Sequence, residues 1–498
     1  MVHKFIAQTN KTFFLLLFFI LSSIGNAQIG IGTITPNASS VLDISSTTQG
    51  LLAPRMTTTQ RNAITTPADG LIVYDTDLKS FYYYVSTSSS WTVINNGATP
   101  RQNFKRIRTG DNLATVLATE LAAGAGAKYL LDSNTLYEIN GTVTFTLPIE
   151  INNAYIQGLD SQNDVIFKAS GNLFEGATGG TIKTLTLRAA AGSVFNLSGA
   201  ATQTLIFRDS VVASSASVGT ISGFGLVFCS IVQYAANTTG ITYDNIGNLL
   251  LSNLGWFSSN TGTYEKFTGT FTLIEKQGGF STVNGTAIGF DVSTTGLTIT
   301  GDAVLESVVF TGTNTAGYVK PYTTGTYTGY NFNNSWNVRS AGIPTETDAT
   351  AVGDFSVDYA VGSGAATTFN TSNPSNIVKV NGVSTSNNLF RFAIDANPNN
   401  NNRLRYLGKK KRIFQVSGSI SFQVPAVGTY IIYVAKNGTA LTQYKVYGRG
   451  LAANDIVVLP ITATVELSNN DYIEIFAQRF TGGTGDSIIV PNMTIVVK

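Results

Sequence analysis

The sequence predicts an all-β fold: a right-handed parallel β-helix body, a small N-terminal β module before it and a C-terminal β-sandwich of jelly-roll type after it. Three observations predict this. Gly, Thr, Ser and Asn abound, charged residues are only 12% of the chain, and long helical periodicities are nearly absent. Short apolar triplets recur through the middle at a spacing of roughly 20–24 residues, that of stacked coils which bury their faces only against their neighbours. Period-2 alternation then fills the C-terminal part, where about eight strands in roughly 110 residues match jelly-roll arithmetic. Changes of texture near residues 100, 335 and 385 divide the chain into segments 1–27, 28–100, 101–335, 336–385 and 386–498.

Segment 1–27 reads as a secretory signal peptide. Lys4 and Lys11 flank a short polar start, Phe13 to Leu21 is an unbroken apolar run, and Gly25-Asn26-Ala27 supplies small residues at the cleavage positions. The run is shorter than the about 20 apolar residues a membrane span needs, and no later segment qualifies, so no membrane insertion is expected. Gln28 rather than Cys follows the cut, which argues against a lipoprotein-type anchor. The expected location is secreted or cell-surface, outside the cell.

Composition excludes whole classes of chemistry. His3, in the signal peptide, is the only histidine, and Cys229 is the only cysteine. A mature chain without histidine builds no Ser-His-Asp triad, no Cys-His pair and no His-liganded zinc site, so no cofactor and no metal are expected. Cys229, preceded by three apolar residues, reads as an inert core thiol. Without Lys4 and Lys11 the chain carries 29 basic and 29 acidic residues, a balance that does not steer it toward nucleic acid or anionic membrane.

Segment 28–100 opens with "QIGIGTITPNASSVLDI". Ile29, Ile31 and Thr33 point to one side of a strand, and Gly30 and Gly32 leave the other side bare enough for a second backbone to approach. Pro36-Asn37 makes a turn, Val41, Leu42 and Ile44 form a second strand, "MTTTQRNAI" offers a helical turn capped by Thr57 or Thr58, and "GLIVYDTDLKSFYYYV" reads as a hairpin. These stretches resemble a recurring N-terminal module of secreted surface proteins in Bacteroidota, and the first resembles the Gly-Ile-Gly-Thr…Pro…Leu-Asp-Ile motif of trimeric phage tail-fibre shafts. The resemblance implies a homotrimer in which three chains bury what one cannot; the alternative is an ordinary small β domain.

Segment 101–335 begins with "DNLATVLATELAAGAG", a helix with Asp111 as N-cap and Leu113, Val116, Leu117 and Leu121 on one face, suited to closing the first rung of a solenoid. The triplets follow from Leu185, Leu205, Leu226, Leu249, Leu273 and Leu297. This segment resembles the right-handed parallel β-helix of pectate lyases and phage tailspikes, many of which cleave polysaccharides with carboxylates on one exposed sheet. Such work needs two carboxylates at a defined separation. The acidic residues between Asp132 and Glu306, among them Asp209, Asp244, Glu265, Glu275, Asp291 and Asp302, form no local pair. Turn capping is the plainer reading for each, although a pair can assemble across rungs. Tyr234, Tyr243, Trp256, Phe257 and Tyr264 could stack on sugar rings, with Trp256 and Tyr264 the candidates, although stacking inside the rungs is the commoner fate of such aromatics.

Segment 336–385 reads as a Gly-rich connector with one or two strands. Segment 386–498 alternates throughout, with Asn437-Gly438 at a hairpin turn. "IIYVAKNGTAL…NDIVVLPITATVELSNNDYIEIFAQ" resembles the heads of phage and bacterial fibres, which are similar to the tumour necrosis factor-like jelly roll. That resemblance implies trimer packing, with Tyr430, Tyr433, Tyr472, Ile475 and Phe476 as candidates for the interface or for the core of one subunit. Arg403, Arg405, Lys409, Lys410, Lys411 and Arg412 are the densest charge cluster and could receive an acidic glycan; a solvated loop is the plainer reading. Taken together, the segments predict an extracellular structural and adhesive fibre, a homotrimer without enzymatic activity that binds a glycan or another surface partner. A tailspike-like polysaccharide depolymerase and a virion tail fibre are the alternatives.

Overall fold

The computed structural model describes residue 13 and residues 28–94, 103–370, 377–395, 402–482 and 485–498. The expected signal peptide, residues 1–27, lies outside the described residues apart from Phe13. Residues 1–100 and 101–498 form two compact units.

In the first unit Ile29–Ile31 pairs in parallel with Leu42–Ile44. The reversal between them is held by Asn37, whose main-chain N–H donates to Asp43 Oδ2 (2.8 Å) while its own side chain accepts from Ser39 N–H (3.0 Å). A four-stranded sheet follows, in the order Arg55–Met56, Ile72–Asp75, Ser80–Val85, Ser90–Val93. The helix Thr58–Asn62 starts as the sequence predicts: Thr57 accepts from Gln60 N–H and the Gln60 side chain accepts from Thr57 N–H, a reciprocal cap. Much of what is buried here is polar. Arg61 lies 3.9 Å from the Tyr82 ring centroid and 3.4 Å from Asp75, whose carboxylate is fully buried and accepts from Thr58 Oγ1 and from Asp77 and Leu78 N–H.

The second unit begins with a parallel solenoid, in which the described residues form one thirteen-stranded and one nine-stranded sheet. Core positions stack in register: Leu205 on Val227, Val227 on Leu249, Leu249 on Ile274 and Ile274 on Ala303. The step therefore lengthens along the coil, and the one from Ile274 to Ala303 is longer than any interval between triplets. The triplet from Leu185 belongs to a neighbouring column, where Leu187 stacks on Val212. The one from Leu297 reaches Ile299, which sits beside Phe271 just before the register shifts. The thirteen-stranded sheet turns a corner at Asp209, Ile231, Asn253, Gly278 and Ser307, each directly after a register-matched residue and each at φ between 52° and 66°. At another corner Ser215, Asn237 and Asn260 form a buried ladder of side-chain hydrogen bonds.

The closing helix of the first rung is two short helices, Leu113–Val116 and Ala118–Ala123, that break at Leu117. Asn112 is the N-cap, accepting from Ala114 N–H; Asp111 instead accepts from Arg108 N–H. Leu113 and Leu117 bury themselves against the solenoid core, as the predicted apolar face requires.

The boundaries after residue 335 differ from expectation. Trp336–Ala341 pairs in parallel with Thr298–Thr311 and is the last rung, while Val352–Asp358 pairs antiparallel with the strand Ser487–Val497. Segment 336–385 is thus no connector. Glycine and acidic residues disguise an ordinary strand in which Gly353, Phe355 and Val357 point inward. The sandwich that this strand enters has two antiparallel sheets. One runs Leu389–Phe390, Val352–Asp358, Ser487–Val497, Arg412–Gln423, Ile456–Leu467. The other runs Phe392–Ile394, Arg403–Tyr406, Tyr472–Thr481, Gly428–Lys436, the last strand also pairing with Val446–Gly450. Asn437 and Gly438, both at positive φ, make the predicted hairpin turn.

Arg391 joins sandwich to solenoid. It is 1% exposed, holds Asp348 at 2.5 Å and donates to the main-chain oxygens of Trp336 (2.5 Å) and Glu346 (3.0 Å). One planar guanidinium thereby satisfies groups at three separate places along the chain.

Candidate assembly surface

The N-terminal strands leave their apolar side chains in water. Ile29 is 59% exposed, Val41 78% and Leu51 71%, and Ile31, Ile34, Leu42 and Leu52 are also exposed. A run of this kind is far from the scattered single exposures of ordinary surfaces. The glycines between the isoleucines have a local purpose. A Cβ on Gly30 would lie 2.5 Å from Thr33 O, and one on Gly32, at φ 76°, would lie 2.0 Å from Ser45 O. Within one chain these glycines admit the chain's own turn and second strand, and so leave the isoleucines facing outward.

The two aromatic candidates are not on the surface. Trp256 is fully buried between Tyr234 (centroids 3.9 Å apart) and Tyr264 (5.1 Å), all three rings nearly parallel and 0% exposed. Tyr234 and Trp256 are register partners on successive rungs of one sheet, and Tyr264 comes from the other sheet to cover the second face of Trp256, all inside the coil where no sugar reaches them. Cys229 lies in the same core, its thiol pushed up to about 12 by burial, which leaves no thiolate at neutral pH. Also in the interior, Lys276 and Glu265, each 1% exposed, pair at 3.0 Å.

The basic cluster comes apart. Arg403 and Arg405 both pair with the buried Asp395, and Arg403 also covers the Tyr472 ring at 3.9 Å. Lys409 reaches the solenoid, donating to Gly301 O (2.5 Å) and lying 3.3 Å from Asp302. Lys411 pairs with Glu466 at 3.2 Å, and Arg412 donates to Asp348 O. Among the described residues the Lys410 ammonium has no acidic partner, and Arg412 meets a main-chain oxygen and the Phe414 ring rather than a carboxylate. The charges lie close in sequence, but nearly every one ties its loop to another part of the chain. Of the head aromatics, Tyr430 belongs to the core together with Ile475; Tyr433 and Phe476 face each other across two strands on the opposite side of their sheet.

Most acidic candidates hold turns or cations. Asp244 accepts from Ser222, Thr268 and Asn245, Asp209 pairs with Arg208, and Asp291 with Lys320. One gathering was not legible in the sequence. Leu273 stacks on Asp302, Glu275 on Val304 and Gln277 on Glu306, so Glu275, Asp302 and Glu306 alternate along two adjacent strands on the outward side of one sheet. Finding it requires the long step from Ile274 to Ala303 and the irregularity after Phe271, which no repeat count reveals. Glu306 borders two shallow polar grooves of about 290 and 270 Å³, one shared with Arg339 and Lys410, the other with Asn253 and Gln277. Among the described residues no group of acidic and sulfur side chains is disposed to hold a metal ion, and no helix is long and apolar enough to cross a membrane.

Residues 30–109 match a family described as a phage tail like trimerisation region. The match spans the exposed apolar strands, the four-stranded sheet and the strand Phe104–Arg108 of the solenoid. No curated protein sequence matches the chain. Among solved structures, the Acinetobacter phage vB_ApiP_P1 tailspike protein is 10% identical, with 90% of this chain and 99% of that one covered and a TM-score of 0.32. The enzymatically active domain of bacteriophage CBA120 tailspike protein 4 is 10% identical, with 90% and 77% covered and a TM-score of 0.21. Murine APRIL is 11% identical, with 30% and 98% covered and a TM-score of 0.20. Likenesses this distant carry no argument; the fold class rests on the strand registers themselves.

Proposed function

We propose that this protein is an extracellular structural and adhesive fibre that works as a homotrimer, held together at its N-terminal strands and presenting its solenoid and a jelly-roll head to a surface partner such as a glycan. The exposed apolar run from Ile29 to Leu52 carries the reading. In a single chain it would expose several large aliphatic side chains, each worth about 1.5–3 kcal/mol when buried, and it lies in the segment that matches a trimerisation region. Export agrees with the apolar, small-residue character of residues 1–27. Light scattering on the mature protein tests the assembly: a mass of three chains is expected, and a monomer at micromolar concentration would sink the fibre.

A second reading, a polysaccharide depolymerase, is favoured by Glu275, Asp302 and Glu306 on one outward face. Asp302 and Glu306 are each already engaged by a cation, Lys409 at 3.3 Å and Arg339 at 3.7 Å, which leaves Glu275 alone where such an enzyme needs two carboxyls acting together. The adhesive reading therefore stands first. Release of reducing ends from soluble polysaccharides, abolished by Glu275→Gln or Glu306→Gln, would reverse the order.

A further inference from the structure

We infer that a cleft between the last solenoid loop and the sandwich is a binding site for a neutral saccharide. The cleft holds about 570 Å³, within the about 300–1,000 Å³ of small-molecule sites. Tyr327 and Tyr330 form one wall with Phe390 beneath them; Ser386, Asn387 and Asn388 form the other. No charged side chain lines it.

Both walls are fixed before any ligand arrives. Tyr330 stacks on Phe390 with centroids 4.1 Å apart, and Tyr327 meets the same ring edge-on at 5.3 Å. The turn carrying the tyrosines is closed by Tyr330 N–H to Tyr327 O (3.0 Å) and Thr326 Oγ1 to Tyr330 O (3.1 Å), and Tyr327 OH donates to Asn334 (3.0 Å). Opposite, the Asp354 carboxylate accepts from Ser386 Oγ (2.7 Å), Asn387 N–H (3.2 Å) and Asn388 N–H (2.8 Å). That occupies the main-chain donors of the loop and leaves the two side-chain amides, both on exposed residues, without a protein partner among the described residues. Rigid walls lower the ordering cost of binding.

The ligand class follows from this chemistry. Aromatic rings attract the C–H faces of a sugar, and the paired donor and acceptor of each amide match its hydroxyls. With no cation on either wall, phosphate, sulfate and uronate have nothing to hold them; with much of the lining polar, a purely apolar ligand would strand the amides. This inference deepens the adhesive half of the proposed function and is independent of the trimeric half, because every lining residue belongs to one chain.

The test is binding of the full-length mature protein to an immobilised panel of neutral oligosaccharides of glucose, galactose, mannose and N-acetylglucosamine, with uronate-containing oligosaccharides alongside. The expected result is binding to at least one neutral member that changes less than about twofold between roughly 50 and 500 mM salt, as screening of charges is irrelevant to it. Tyr330→Ala and the double change Asn387→Ala, Asn388→Ala should each weaken it at least tenfold, while Tyr330→Phe, which keeps the stacked ring, retains it. No neutral binding, neutral binding untouched by these variants, or binding confined to uronates and lost in salt would each overturn the cleft. Light scattering on the same samples reports assembly separately, so a failed cleft and a failed trimer give different results.

Discussion

Ile231 shows how a solenoid corner constrains single residues. It sits at φ 54° in the column occupied elsewhere by Asp209, Asn253, Gly278 and Ser307, and a β-branched residue is the one least suited to that conformation. With its side chain 51% exposed, little burial compensates the roughly 1–2 kcal/mol that the left-handed region costs. Ile231→Asn should therefore stabilise the protein by on the order of 1 kcal/mol, read as a higher denaturant midpoint at unchanged slope. Lys276 and Glu265 present the opposite case. Removing one partner, as in Lys276→Met, strands a buried carboxylate and should cost about 3–5 kcal/mol, whereas Lys276→Met with Glu265→Leu should recover most of it; a double-mutant cycle in equilibrium unfolding measures the difference. The ion pair was not legible from composition, and for Trp256 burial by stacking between rungs was the plainer expectation but its partners were not readable. Sequence distance does not show which rungs touch, and an aromatic meant for a sugar looks like one meant for the next coil.

At the level of elements, corners hold the coil as much as core rows do. Asn260 Nδ2 donates to Tyr234 O (2.6 Å) and Phe257 O (2.8 Å), and its Oδ1 accepts from Asn237. Asn260→Ala leaves the buried Asn237 N–H without its acceptor, while Tyr234 O and Phe257 O keep main-chain donors, and should cost about 1–3 kcal/mol, the scale of one orphaned group. Acid reaches the corners by another route. Burial opposes the charge on Asp164 and on Asp244. It is outweighed at Asp164 by N–H groups of Gly141, Asp160 and Leu159, and at Asp244 by Thr268, Ser222 and Asn245, so both carboxyls titrate below the ordinary 3.8. The unfolded chain takes up these protons first. The stability they supply is complete above about 4 and disappears as pH falls from there through the folded values. Thermal unfolding should accordingly be flat from neutral to about pH 5 and drop below about 4, with the drop reduced in Asp164→Asn. The rungs were visible as recurring triplets because each must bury the same face; their register was not, because loops of different length intervene between equal strands.

For the whole molecule, assembly separates from folding. Ile31 and Leu42 lie outside the buried core of their own chain, so Ile31→Asp with Leu42→Asp should leave the circular dichroism and melting of residues 101–498 unchanged while reducing the particle to one chain by light scattering. The N-terminal motif was readable because its exposed isoleucines make no sense alone. The dispersal of the Lys409–Arg412 cluster was not, because its partners Asp302, Asp348 and Glu466 stand far away along the chain, on both sides of the cluster, and only the joint at Arg391 and the sandwich bring them near.

The pairing of Val352–Asp358 with Ser487–Val497 has a consequence in time. Gly353 meets Val497, and Asp358 meets Asn492, so one edge of the first sandwich strand waits for a partner that follows it by well over a hundred residues, while its other edge meets Leu389–Phe390 much sooner. At about 5–20 residues per second a growing chain holds that first edge open for roughly 7–28 s after every rung behind it has formed. A chain in which Ser487–Val497 has not yet been made keeps that edge unpaired and an unfinished sandwich against the last rung, an open edge of the kind that invites wrong pairing.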